Sequence, residues 1–134
     1  ARAEQVEHLA GVPLFASMPK RHLRRLARST RQVTIEADQV LIAEGEASHE
    51  AYVILAGRAV VRRKGRKLAE LGSGDIVGEL GLLLHRPRHA TVRSITPLEV
   101  LVLDRDDLRE VVEESPELAW RLLETVAERL GEDH

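Results

Sequence analysis

The 134-residue sequence predicts a mainly β, α+β fold: an antiparallel sandwich or barrel of short strands, led in and followed by helices. Three observations carry that expectation. Between about Gln32 and Leu103, β-rich runs of four to six residues recur, punctuated by Gly, Asp and Pro at near-regular spacing. Those runs lie too close together for crossover helices, which argues against a parallel α/β sheet. Outside that stretch the apolar residues fall at helical spacing instead.

At the N-terminal end, residues 4–9 carry Val6 and Leu9 at helical spacing, and residues 20–29 carry Leu23, Leu26 and Ala27. VPLFASMP reads as the turn between them. Arg24, Arg25, Arg28 and Arg31 form a basic run, read as a solvated helix face. Strands follow at QVTI, QVLIA, AYVIL, AVVRR, KLAEL, ATVRSI and LEVLVL, separated by EADQ, EGEASHE, AGR, KGR, GSGD and ITP. After Asp104 the helical period returns, with Asp106 as the N-cap of a helix carrying Leu108, Val111 and Val112. Ser115-Pro116-Glu117 opens the last helix, serine at the cap and proline at the first helical position. Leu118, Ala119, Leu122, Leu123, Val126, Ala127 and Leu130 make its apolar stripe, and Gly131 ends it. Two readings satisfy that stripe: packing on the β region, or the seam of a parallel homodimer. The whole is one domain, 1–134, divided into a helical lead-in (1–30), a β region (31–104) and two C-terminal helices (105–131).

Composition narrows the function classes. Hydrophobic residues at 43% and charged residues at 31% describe a globular chain. A net charge of -2 gives no sequence-independent pull toward nucleic acid or an anionic membrane, and no apolar run is long enough to span a bilayer. No signal-peptide pattern opens the chain, which starts at Ala1 in the manner of an excised piece. The absence of cysteine removes thiolate and disulfide chemistry and fits a reducing, cytoplasmic setting. Phe15, Tyr52 and Trp120 are too few aromatics for a stacking platform on single-stranded nucleic acid. Ser73 and Ser94 have no His–Asp arrangement at usable spacing, and Asp104, Asp106 and Asp107 read as cap and turn acids. His85 and His89 stand at i, i+4, but the intervening Arg86-Pro87 interrupts any helix that would bring them to one metal. The expectation is a binding module without metal or cofactor, not an enzyme.

One segment stands apart, residues 72–92, reading GSGDIVGELGLLLHRPRHATV. Four of its first ten residues are glycine, permitting backbone conformations and close approaches that side chains would block. The run Glu79–Leu84 is long enough for one or two helical turns. A short helix whose first N–H groups are bared by glycine is an anion site. Arg88, beyond it, can return a planar fork to two phosphate oxygens. Glu79 cannot hold a phosphate; it can accept from a neighbouring hydroxyl or orient the arginine. An anion beside a hydroxyl is what a ribose phosphate presents.

GDIVGELGL and PRHATV resemble the phosphate-binding cassette of the cyclic-nucleotide-binding domain family, roughly Gly-Asp-x-x-Gly-Glu-x-(Ala/Gly)-Leu followed by Pro-Arg-x-Ala-Thr-Val. The likeness runs nearly end to end. VPLFASMP resembles the family's opening turn, Gly45 and Gly57 its β-roll glycines, and the last two helices its B and C helices. The resemblance implies an antiparallel double-stranded β-helix (β-roll or jelly roll) like that of catabolite activator and protein kinase A regulatory proteins. It also implies a regulatory sensor of cAMP, ahead of cGMP. In that reading Glu79 accepts from the ribose 2′-hydroxyl beside the Gly78 N–H. Arg88 pairs with the phosphate, with backbone N–H groups of Gly81 and His89 alongside, and Leu80 belongs to the same ligand-binding set. Val61 and Leu68 pack against the purine, and Arg129 lies near the base. The last helix closes as a lid, and the signal passes to a fused or separate effector. The domain itself makes no direct contact with nucleic acid and has no membrane span. His89 stands where Ala, Ser or Thr is usual, and Val77 where an aromatic is frequent. The chain stops at His134, near where activator-type C helices reach adenine, and no helix-turn-helix follows. Two alternatives are a catabolite-activator-type transcription factor truncated before its helix-turn-helix, and a degenerate β-roll serving only protein interaction.

Overall fold

A computed structural model describes residues 2–12, 15–16, 18–46, 50–78, 88–117, 119–121, 123–124 and 127. Within them the order is α1 (Arg2–Ala10), α2 (Lys20–Ser29), β1 (Arg31–Ile35), β2 (Val40–Ile42), β3 (Glu50–Ala56), β4 (Ala59–Arg63), β5 (Arg66–Leu71), β6 (Ile76–Val77), β7 (Thr91–Ser94), β8 (Leu98–Asp104) and α3 (Arg105–Glu114). Residues 116–117, 119–121, 123–124 and 127 are also helical.

The strands form two antiparallel sheets, ordered β1-β8-β3-β6 and β2-β7-β4-β5. Among the described strands, only β4 and β5 are both consecutive and paired; the other connections lead to strands that are not neighbours. That is a β-roll. Alternation explains the core: Tyr52 and Ile54 of β3 join Ile42, Ala59, Val77, Val92, Leu98, Val100 and Val102, drawn from both sheets. Each buried Val, Leu or Ile among them contributes about 1.5–3 kcal/mol on leaving water.

The chain divides into two compact units, residues Thr30–Arg105, and Ala1–Ser29 with Asp106–His134. In the first, Gly57 closes the turn between β3 and β4 at φ +100°. A Cβ there would lie 2.3 Å from the Pro97 carbonyl oxygen. In the second, Leu9, Val12, Phe15, Met18, Leu23, Leu26, Leu108 and Val111 are buried.

Three sequence expectations change. β6 was read only as part of the glycine-rich segment, yet Ile76 and Val77 pair with Val53 and Tyr52. Its two residues are too few to give a periodic signal. α3 begins at Arg105, so Asp106 is not its cap; with Asp107 it lies in the first turn, where an acid complements the helix dipole. The basic run is not one helix face: Arg31 opens β1, and Arg25 pairs with Glu114 and, at 3.8 Å, Glu110.

Candidate functional site

The site is built on the end of β6 and the start of β3. Strand β6 stops because Gly78 turns at φ +88°, a conformation that L side chains rarely adopt. The turn aims the Gly78 carbonyl at Arg88, whose Nη1 donates to it at 2.5 Å. Nη2 donates to the Glu50 carbonyl at 2.6 Å. The main chain is fixed as well: Arg88 N–H donates to the Glu46 carbonyl at 2.9 Å, and Gly45 N–H to the Arg88 carbonyl at 2.8 Å. Only 6% of Arg88 is exposed, so its fork is held in a dry setting by carbonyls from two strand ends. Glycine at 78 is also a matter of space. A Cβ there would stand 2.7 Å from Arg88 Nη1, 3.1 Å from Ile42 Cδ1 and 3.2 Å from the Glu50 carbonyl oxygen.

The preceding turn is equally determined. Gly72 N–H donates to the Asp75 carboxylate at 2.8 Å, Ser73 Oγ to the Leu55 carbonyl at 2.9 Å, and Gly74 N–H to the Ile54 carbonyl at 2.8 Å. Thus the GSGD sequence acts as a clamp of β3 on the approach to Gly78.

Of the residues singled out in the sequence, Gly78 and Arg88 are brought together. Glu79, Leu80, Gly81 and Arg129 lie outside the described residues, as do His85 and most of the expected lid stripe. His89 is exposed, and its carbonyl accepts from Arg63 Nε at 3.2 Å, tying the loop after Arg88 to β4. Val61 is half-buried against the core and pairs with Val92 and Ala69. Leu68 does not pair with Val61. The ladder passes from Val61–Ala69 to Arg62–Lys67, leaving Leu68 as the extra residue of a bulge, 50% exposed.

One residue at this mouth, Glu50, reads in the sequence only as the end of the EGEASHE loop. Glu50 opens β3 with the same alternation as Tyr52 and Ile54, so it belongs to the inward face at the strand's end. Its carboxylate pairs with Arg31 at 3.0 Å. Burial pushes the Tyr52 hydroxyl above the usual tyrosine range, and the charge and hydrogen bond of Glu50 add to this, while Arg88 and Arg31 oppose it. The linear signal was only the period-two pattern extended one step before AYVIL. Among the described residues no cluster of three or more His, Asp or Glu side chains could hold a metal ion.

Comparison with known proteins agrees with the roll. The chain is 32% identical over 123 residues to a cyclic nucleotide-gated potassium channel of Rhizobium etli, covering 92% of this chain and 34% of the channel. It is 30% identical over 129 residues to a CRP-like cAMP-activated global transcriptional regulator of Mycobacterium tuberculosis, covering 92% and 58% respectively. The catabolite activator protein of Thermus thermophilus superposes with a TM-score of 0.82 at 25% identity, covering 90% of this chain and 59% of that one. The chain therefore spans about a third to three-fifths of the length of these relatives. No helix among the described residues is long and apolar enough to cross a membrane. A family profile described as the cyclic nucleotide-binding domain matches residues 32–115, more than half of the sequence, and the chain belongs to that family.

Proposed function

We propose that this domain binds cAMP, ahead of cGMP, as the sensor of a larger regulatory system. Arg88 engages the cyclic phosphate with the N–H groups of Gly81 and His89 alongside, and Glu79 accepts from the ribose 2′-hydroxyl, helped by the Gly78 N–H. Val61, Leu68 and Arg129 are assigned to the base, and the Leu118–Leu130 helix to closure. The single observation that supports this reading most is the Arg88 fork, buried and pre-oriented by two carbonyls around a glycine with no room for a side chain. A cation fixed in advance spends little conformational entropy when an anion arrives. The carbonyls orient it as dipoles; a phosphate adds a full opposite charge, which a dry setting rewards. The domain acts as a binding module rather than an enzyme, in the cytoplasm, its effector lying on the same chain or on a separate one. The relatives' names, a gated channel and a transcriptional regulator, fit that arrangement.

Calorimetric titration with cAMP and cGMP tests the reading, on the parent chain and on Arg88→Leu. Truncating a hydrogen-bonded charge partner costs about 2–5 kcal/mol of binding. Absence of binding by the parent chain at millimolar nucleotide sinks the sensor function; unchanged affinity in Arg88→Leu sinks the phosphate role. Glu79→Gln weakens cAMP more than 2′-deoxy-cAMP, and equal losses would remove the ribose assignment.

A further inference from the structure

Strand register places three polar side chains on one face at the mouth of the roll. Arg31 on β1 and Tyr52 on β3 both pair with Val102 of β8, from opposite sides. Glu50 pairs with Asp104, two residues along β8 and so on the same face. Across this face the Arg31 guanidinium spans β8 to reach the Glu50 carboxylate at 3.0 Å. Glu50 is thus held at both ends: its carboxylate by a strand two positions away in the sheet, its carbonyl by Arg88 Nη2 at 2.6 Å. An ordinary exposed ion pair contributes little to stability. This one differs in what it is attached to, since the residue it fixes is an acceptor for the arginine proposed to meet phosphate.

We infer that Glu50 is a positioning residue for Arg88, and that Arg31 sets its place and cancels its charge at the mouth of the site. This rests on the phosphate role of Arg88. Without Arg31, two changes act in the same direction. The first residue of β3 keeps its ladder partner Asp104 but loses the side-chain tie to β1, so the Glu50 carbonyl holds the Arg88 fork less firmly. The Glu50 carboxylate also loses the Arg31 charge at the entrance taken by an anion. Both weaken a phosphate-bearing ligand, and neither touches the nucleoside part.

The experiment compares cAMP with adenosine, which lacks the phosphate, by calorimetry on the parent chain, Arg31→Met and Arg31→Lys. Arg31→Met keeps the side-chain length and removes the charge. It should weaken cAMP about two- to fivefold, the range open to one partly exposed ion pair, and leave adenosine unchanged. Arg31→Lys should recover at least half of the loss, and 0.5 M NaCl should narrow the gap between Arg31→Met and the parent. Equal weakening of both ligands would mean a merely structural role and overturn the inference, as would unchanged cAMP affinity or no recovery in Arg31→Lys. Failure of the underlying reading looks different: Arg88→Leu then binds cAMP as the parent does, or the parent binds none, and the inference falls with it.

Discussion

Replacing Gly78 with alanine adds one methyl group and separates backbone strain from ligand placement. Gly78 sits at φ +88°, so any L side chain there costs about 1–2 kcal/mol in conformation alone. The new Cβ also meets Arg88 Nη1 at 2.7 Å, and ordinary van der Waals contact starts at 3.4 Å, so the guanidinium must retreat by about 0.7 Å. Normally the far end of an arginine yields cheaply, but here both Nη atoms are committed to carbonyls, one of them Gly78's own. Of the other two contacts, Ile42 Cδ1 at 3.1 Å is the end of a side chain, whereas the Glu50 carbonyl at 3.2 Å is main chain within a paired strand and yields less. Displacing the fork by that amount is expected to weaken cAMP about tenfold, near 1.4 kcal/mol. Gly74→Ala is the matched control: its φ is +92°, but nothing lies within 4 Å of its Cβ position. Urea melts and calorimetry on both variants give the answer. Gly74→Ala should lose about 1–2 kcal/mol of stability with cAMP affinity intact, whereas Gly78→Ala loses more than that control, since the clash adds to the backbone strain, and binds about tenfold worse. Equal cAMP affinity in the two variants would refute the reasoning.

Three further outcomes follow from other parts of the roll. Gly57→Ala should lower stability by about 3–4 kcal/mol or prevent folding, because positive φ combines with a Cβ 2.3 Å from the Pro97 carbonyl; a melting temperature within a few degrees of the parent would contradict this. Arg63 and Arg66 face each other on one rung of the β4–β5 hairpin, so Arg66→Glu should raise stability by about 0.2–1 kcal/mol in low-salt urea melts. Glu70, hydrogen-bonded by Lys67 and Arg58, has its pKa lowered to about 2. A depressed carboxylate contributes stability above its unfolded pKa and loses it as pH falls through the folded value. Urea midpoints of the parent should therefore fall between pH 4.5 and about 2 more steeply than those of Glu70→Gln, and identical slopes would remove that role.

The sequence made the strands of the roll legible because alternation and turn residues are local properties. AVVRR, KLAEL and LEVLVL appear as β4, β5 and β8 with boundaries shifted by at most one residue. The glycines and Arg88 were legible for a similar reason: a dense glycine run followed by an arginine-containing loop is a compositional anomaly. What escaped depends on register. Glu50 and Arg31 lie 19 residues apart and meet only because β8 comes between their strands. Nothing within either segment announces the pairing. Leu68 shows a subtler limit, since the period of KLAEL is intact but a bulge moves this one residue out of the ladder. Asp106 was misplaced as a cap because Asp104, Asp106 and Asp107 offer near-equivalent starts, and tertiary pairing of β8 through Asp104 decides among them.

The pairing of β1 with β8 has a consequence for how such a roll is carried. Arg31 lies opposite Val102, so the chain goes into the β unit and comes out of it on neighbouring strands at the same end. Topologically the unit is a loop closed at its neck, which can be spliced between two segments of a host polypeptide without prising them apart. A tug at that neck also loads the first rungs of the β1–β8 ladder, the same strand pair that Arg31 spans to reach Glu50.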